Sequence, residues 1–231
     1  DLICMPTVLY NQEDVKKLDT IIDYVENAVN NGEISESRLD DGCRRILTVK
    51  ENRGILDWKE SNFSLNKALS TVGSATNRAT EREIAAAAVT VVKNENNTLP
   101  LVVKEKQKIL MLCPYDNERA QMIMGYNRAK EAGLIPDSAE VKVVRYNGSN
   151  MDAVKENIDW ADTVFVNSEI SAASRFSSNH WLYSNVEDIV DYTHEKGKKS
   201  IVMSVDKPYD VQMYANADAI LAVYGCKGSS V

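Results

Sequence analysis

Glu169 and Arg175 stand close together in the stretch Ser168-Glu169-Ile170-Ser171-Ala172-Ala173-Ser174-Arg175, directly after the apolar run Thr163 to Asn167. A carboxylate just past a strand is placed for acid–base work, and a guanidinium nearby can hold an anion or a sugar hydroxyl. The plainer alternative is that Glu169 caps a helix or is solvated. His180 follows in the same polar loop beside Trp181. That pair could stack on a sugar ring, or His180 could be an ordinary surface histidine. Lys207-Pro208-Tyr209-Asp210 reads as the start of the last helix, with Asp210 favourable in its first turn.

Other chemistries lack their residues. No GxGxxG or P-loop follows the first apolar strand, where Pro114-Tyr115-Asp116 stands instead. HExxH and GxSxG are absent, and no carboxylate pair for glycoside hydrolysis can be assigned from spacing. The four cysteines, Cys4, Cys43, Cys113 and Cys226, are widely scattered, with two histidines, His180 and His194, as partners. Three of the four lie in apolar, strand-like or helix-like surroundings, where a free buried thiol is expected rather than zinc or a disulfide.

The elements that would position these residues follow from periodicity. Val15, Leu18, Ile21, Ile22, Val25, Ala28 and Val29 recur at helical spacing and stop at Asn30-Asn31-Gly32. Ser35 is a natural cap for a second helix through Leu39, Cys43, Ile46, Leu47 and Val49, ended by Gly54. The apolar faces of this pair need a third body to cover them. Residues 57 to 80 are broken and polar, as a connector would be. A helix from Glu81 passes through Ala85 to Ala88 into the strand-like Val89 to Asn94. Apolar runs at Ile109–Cys113, Val141–Tyr146, Thr163–Asn167, Ser200–Val205 and Ala219–Tyr224 then alternate with helices near 118–132, 151–159, 186–195 and 208–215. Strands that do not alternate with polar residues are buried on both faces, which predicts an α/β fold with a parallel sheet between helices. Ligands in such sheets bind beyond the strand carboxyl ends, where strand order reverses.

Composition is consistent with this. The chain has 231 residues, 44% hydrophobic and 26% charged, and a net charge of −7. Collagen-like and disordered classes are excluded, and the acidic balance argues against nucleic acid or anionic lipid as the main partner. No apolar run reaches the ~18 residues of a membrane span. The first residue is Asp1, and Asp1 to Pro6 reads as a strand already under way, so the chain is expected to be part of something longer.

Two ordered stretches resemble glycoside hydrolase family 3. The first runs from Ala28 to Leu47 (AVNNGEISESRLDDGCRRIL) and continues from Lys50 to Asp57, similar to that family's K-x-x-x-G-hydrophobic-hydrophobic-D. The second, Ala86 to Leu101 (AAAVTVVKNENNTLPL), resembles the family's A-x-x-S-x-x-L-L-K-N-x-x-x-L-P-L. A third, Ser204 to Asp210 with Ala222 to Gly225, resembles the β-N-acetylhexosaminidase-type members. The resemblance implies a three-layer αβα sandwich with a mainly parallel sheet, preceded by helices from the end of a (β/α)8 barrel. Residues 1–56 would be the barrel end, 57–80 a linker and 81–231 the sandwich.

The implied parent reaction is retaining hydrolysis of terminal β-linked sugars, N-acetylglucosaminides above all, with no cofactor and no metal. The family's nucleophile is an Asp on an earlier barrel strand, and no residue here corresponds to it. The isolated chain is therefore expected to be inactive. In the glucosidase branch the acid–base Glu comes from the second domain. Glu169 is its nearest counterpart, in Asn167-Ser168-Glu169-Ile170 where the family has Gly-Glu-Gly, and this departure favours the hexosaminidase branch. Arg175 and His180 would contact the carbohydrate, and the sandwich would pack on its own barrel. A homo-oligomer stays open. The alternatives are a flavodoxin-like module binding a small ligand or sugar, with Tyr115, Glu169 and Arg175 lining its pocket, and a purely structural support for the barrel.

Overall fold

The computed structural model describes residues 2, 4, 7–59, 63–170, 172, 175, 177 and 179–225. The strand expected over Asp1–Pro6 lies largely outside them. The chain divides into two compact units, Asp1–Ser70 and Thr71–Val231.

In the first unit, Asn11 caps a short 3-10 turn, its side-chain oxygen accepting from the N–H groups of Glu13 (2.9 Å) and Asp14 (3.2 Å). Helix α1 follows (Lys16–Asn30) and stops where Gly32 takes φ +78°, a left-handed conformation that costs glycine little. Ser35 accepts from the Arg38 N–H at 3.2 Å and starts α2 (Glu36–Asn52); Gly54, at φ +66°, ends it. The apolar stripes of both helices stand open, with Ile22 62% and Leu47 52% exposed. Between the helices lies a hollow of about 380 Å³ whose apolar lining includes Ile21, Ile22, Val25, Val29 and Leu39. Cys4 and Cys43 are free and exposed, against the expectation of buried thiols. Cys43 lines an open hollow with Val25, Ile34, Leu39 and Ile46, which leaves its thiol accessible.

The second unit carries a six-stranded sheet. Its strands are β1 (Thr90–Asn94), β2 (Lys108–Cys113), β3 (Glu140–Arg145), β4 (Thr163–Ser168), β5 (Lys199–Val205) and β6 (Ala219–Val223), in the spatial order β1-β6-β5-β4-β2-β3. All neighbours run parallel except β1, which pairs antiparallel with β6 at one edge. Helix α3 (Leu65–Thr71) belongs to the first unit but for its last residue, and the helices of the second are α4 (Ala75–Ala88), α5 (Asp116–Glu131), α6 (Met151–Trp160) and α7 (Trp181–Glu195). Helix α4 starts earlier than its alanine run indicates, because Ser74 caps it by accepting from the Asn77 N–H at 3.2 Å. Likewise α7 starts at Trp181 rather than Val186.

Leu110, Leu112, Val164, Val166, Val202 and Ile220 point to one face of the sheet and pack with Val154 and Ile158 of α6 and Val186, Ile189 and Val190 of α7. All of them are at most 3% exposed, each burial contributing about 1.5–3 kcal/mol. Helix α5 packs on β2 and β3 and buries Met122 and Tyr126 outside that cluster. Right-handed crossovers require this split, since the step from β2 to β3 runs opposite to the later steps through β4 and β5. The expected αβα layering with a mainly parallel sheet is what the second unit shows.

The last helix, expected over 208–215, is not there. Those residues form successive turns. Asp210, expected in the first turn of that helix, is fully buried, and its hydrogen bonds to Ser204 and Tyr214 hold these residues in turns.

Candidate functional site

Strand order reverses between β2 and β4, so the connections leaving their carboxyl ends diverge, the arrangement that leaves a ligand crevice in sheets of this kind. After β2 come Pro114 and Tyr115, and then α5 with Asp116, Asn117 and Glu118 in its first turn. After β4 comes Glu169. Glu118 is the residue that sequence reasoning missed. An acid in a helix's first turn looks like a solvated partner of the helix dipole, yet this side chain turns inward and is 0% exposed. The available signal was Pro114 directly after the strand, which shortens the connection and sets the first turn of α5 over the sheet's end.

Asn167, also 0% exposed, donates through Nδ2 to Glu118 Oε2 at 2.7 Å. Burial first, and then the nearby Glu169 carboxyl, push the Glu118 carboxyl up to about 8, against the opposing Asn167 donor. Glu118 Oε1 and Glu169 Oε2 are both buried and, among the described residues, receive no donor. Tyr146 closes the network from the neighbouring strand end, its hydroxyl donating to the Asn167 carbonyl oxygen at 2.8 Å. Burial lifts the Tyr146 hydroxyl far above the ordinary tyrosine range, so it serves as a fixed donor.

Cys113 ends β2 beneath this group. Burial first, then the Glu118 charge, push its thiol up to about 12, which removes it as a nucleophile at neutral pH. Next to Glu169, the Ser168 and Ser204 hydroxyls both donate to the buried Asp210 carboxylate, and Tyr214 adds a third bond at 2.9 Å. Asp210 is thus occupied in tying β4 and β5 to the turns of residues 206–216.

Of the residues singled out from sequence, Glu169 is half-buried at the crevice. Arg175 donates to the Tyr115 hydroxyl at 3.3 Å, bringing those two together. His180 caps α7, its Nδ1 accepting from the Leu182 N–H at 3.3 Å. The ring of His180 stacks on Trp181 with centroids 6.2 Å apart. Trp181 in turn meets Tyr115 and Tyr146 edge-on, each at 6.3 Å. The aromatic wall therefore runs Tyr115–Trp181–Tyr146 with Arg175 at the Tyr115 end. Among the described residues no group of three or more His, Cys, Asp or Glu is arranged to hold a metal ion. Chemically, the site offers a buried carboxyl, Glu118, whose hold on a proton is raised, and an aromatic surface.

No family model matches the chain. In sequence it is similar to a β-hexosaminidase A from Pseudoalteromonas piscicida, 22% identical over 244 residues that cover 97% of this chain and 38% of that protein. It is also similar to a β-N-acetylglucosaminidase/β-glucosidase from Cellulomonas fimi, 30% identical over 96 residues, 42% of this chain and 17% of that one. In fold it is similar to a fungal multi-domain GH3 β-N-acetylglucosaminidase, with a TM-score of 0.54, 20% identity, and coverage of 89% of this chain and 22% of that one. The chain spans well under half the length of the curated relatives it matches. The resemblance to glycoside hydrolase family 3 carried by residues 28–57 and 86–101 thus extends to whole-chain similarity with a β-hexosaminidase and to a fold shared with a GH3 β-N-acetylglucosaminidase.

Proposed function

We propose that this chain is the C-terminal portion of a retaining glycoside hydrolase acting on terminal β-linked sugars, with β-N-acetylglucosaminides as the substrate class. The observation that carries the reading is the similarity to a β-hexosaminidase along 97% of this chain but only 38% of that protein. On this reading residues 1–56 complete a (β/α)8 barrel, 57–80 link, and 81–231 form the sandwich packed against that barrel. The open apolar stripes of α1 and α2 support it, because helices finishing a barrel owe their burial to the rest of the barrel. The carboxylate nucleophile would come from an earlier barrel strand, so the chain alone is inactive. It would contribute a cleft wall through the connections after β2 and β4.

The test is hydrolysis of p-nitrophenyl β-N-acetylglucosaminide and β-glucoside. A protein of the relatives' full length carrying this sequence should cleave the first substrate faster, and the chain alone should cleave neither. Absence of hydrolysis by the longer protein would overturn the glycosidase reading. Activity of the chain alone that survives repurification would overturn its dependence on the barrel. A second reading, a module that binds a sugar by itself, is favoured by the Tyr115–Trp181–Tyr146 wall with Arg175 beside it. Titration of the chain with N-acetylglucosamine checks it, and a flat response removes it.

A further inference from the structure

At the edge of the sheet opposite Asn167 and Glu118, the amino ends of β2, β4 and β5 bring three short segments together. Residues of 101–107, 161–163 and 197–199 line a cavity of about 450 Å³ there, within the range of small-molecule clefts (about 300–1,000 Å³). The side chain of Gln107, part of that lining, is fixed at both ends of its amide. Its Oε1 accepts from the Lys104 N–H at 2.7 Å, and its Nε2 donates to Thr163 Oγ1 at 3.0 Å. Thr163 is buried. Lys106 takes φ +59°, a left-handed conformation uncommon for a residue with a side chain, and its N–H donates to Ser138 Oγ at 2.9 Å.

The charges around this cavity do not balance. Lys104, Lys106, Lys198 and Lys199 face two carboxylates, Glu105 and Asp162. Both carboxylates already accept hydrogen bonds, Glu105 from the Ser138 hydroxyl and Asp162 from the Lys108 N–H at 2.8 Å. Lys198 donates to two neutral acceptors, the carbonyl oxygens of Ile158 (2.7 Å) and Asp159 (2.6 Å). Lys104, Lys106 and Lys199 have no carboxylate or ring partner among the described residues. Lysines elsewhere in the unit do: Lys130 pairs with Asp137, Lys196 with Asp159, and Lys142 lies 4.1 Å from the centre of the Trp160 ring. In a chain of net charge −7 this is a local positive field, and a cleft focuses it on an anion. Leu101, Val102 and Ala161 give the same cavity an apolar side.

We propose that this cavity binds a phosphorylated small molecule, its phosphate held by Lys104, Lys106 and Lys199 and its less polar body set against Leu101, Val102 and Ala161. A phosphate monoester carries about −1.5 to −2 charges at neutral pH and three strong acceptor oxygens, one for each ammonium. The site uses neither Glu118 nor the aromatic wall, so it stands independently of the glycosidase reading.

The test is calorimetric titration of the chain at low ionic strength with phenyl phosphate, inorganic phosphate and phenol. Phenyl phosphate should bind saturably and more tightly than either of the others. Lys106→Gln with Lys199→Gln, both exposed, should weaken it about tenfold. Lys50→Gln with Lys142→Gln removes two exposed charges elsewhere and should leave the affinity unchanged. Absence of saturable binding would overturn the proposal, as would equal losses in the two double variants. Inorganic phosphate bound as tightly as phenyl phosphate would remove the apolar side from the site. Amide NMR of the native chain is a second readout that needs no variant. Phenyl phosphate should shift Lys106, Gly197 and Lys199, whereas shifts at Tyr115 and Trp181 in their place would put the ligand at the other edge of the sheet and overturn the proposal.

Discussion

The hydroxyl of Tyr146, past the end of edge strand β3, donates to the carbonyl oxygen of Asn167 on β4 at 2.8 Å, reaching across the carboxyl end of β2. Both residues are 0% exposed, so the bond fixes the spacing of three strand ends beside the Asn167–Glu118 hydrogen bond. Tyr146→Phe keeps the ring and its edge contact with Trp181 but leaves a buried carbonyl oxygen short of a donor. The expected loss is about 1 kcal/mol, read as a lower urea midpoint at unchanged slope. An unchanged midpoint would show that the bond adds nothing to stability.

Asp210 accepts from Ser168, Ser204 and Tyr214 while fully buried. Asp210→Ala strands three hydroxyls together and should cost about 3 kcal/mol, whereas Ser204→Ala removes one donor and should cost about 1 kcal/mol. Chemical denaturation of the two variants ranks them, and equal losses would contradict this hub.

Stability should depend on pH through Glu118. Its carboxyl stands near 8 in the folded chain against an ordinary value of 4.5. Between those values the folded state keeps a proton that the unfolded state has released, so stability is full below about pH 4.5, falls as pH rises, and levels off above about pH 8. Glu118→Gln abolishes this slope. Urea midpoints at pH 5, 7 and 9 should shift in favour of the variant as pH rises, and parallel profiles would refute the linkage.

Ile22 and Leu47 are 62% and 52% exposed on the apolar stripes of α1 and α2. The isolated chain should therefore self-associate as its concentration rises, and Ile22→Glu with Leu47→Glu should return it toward monomer without altering the unfolding of the sheet unit. Sedimentation velocity of both proteins decides the point. A native chain that stays monomeric at high concentration would mean these stripes are covered.

Much of the scaffold was legible from local chemistry. Apolar runs such as Ile109–Cys113 and Ser200–Val205 read as strands covered on both faces, and they flank β4 on its two sides in the parallel sheet. Ser35, Gly32 and Gly54 bound their helices as their types require. Such signals act over one or two helical turns, so a linear pattern records them.

The site was written less clearly. Glu169 and Arg175 were visible as chemistry after a strand, but their partners were not. Glu118 looked like a solvated helix-start acid until the reversal of strand order brought α5 against the end of β4. Asp210 looked like part of a helix until Ser168, Ser204 and Tyr214 took up its carboxylate. Periodicity and capping come from neighbours along the chain and fix which elements form. Burial of a particular carboxyl, and with it the proton it holds, depends on residues far apart in sequence, and only the packed sheet brings those together.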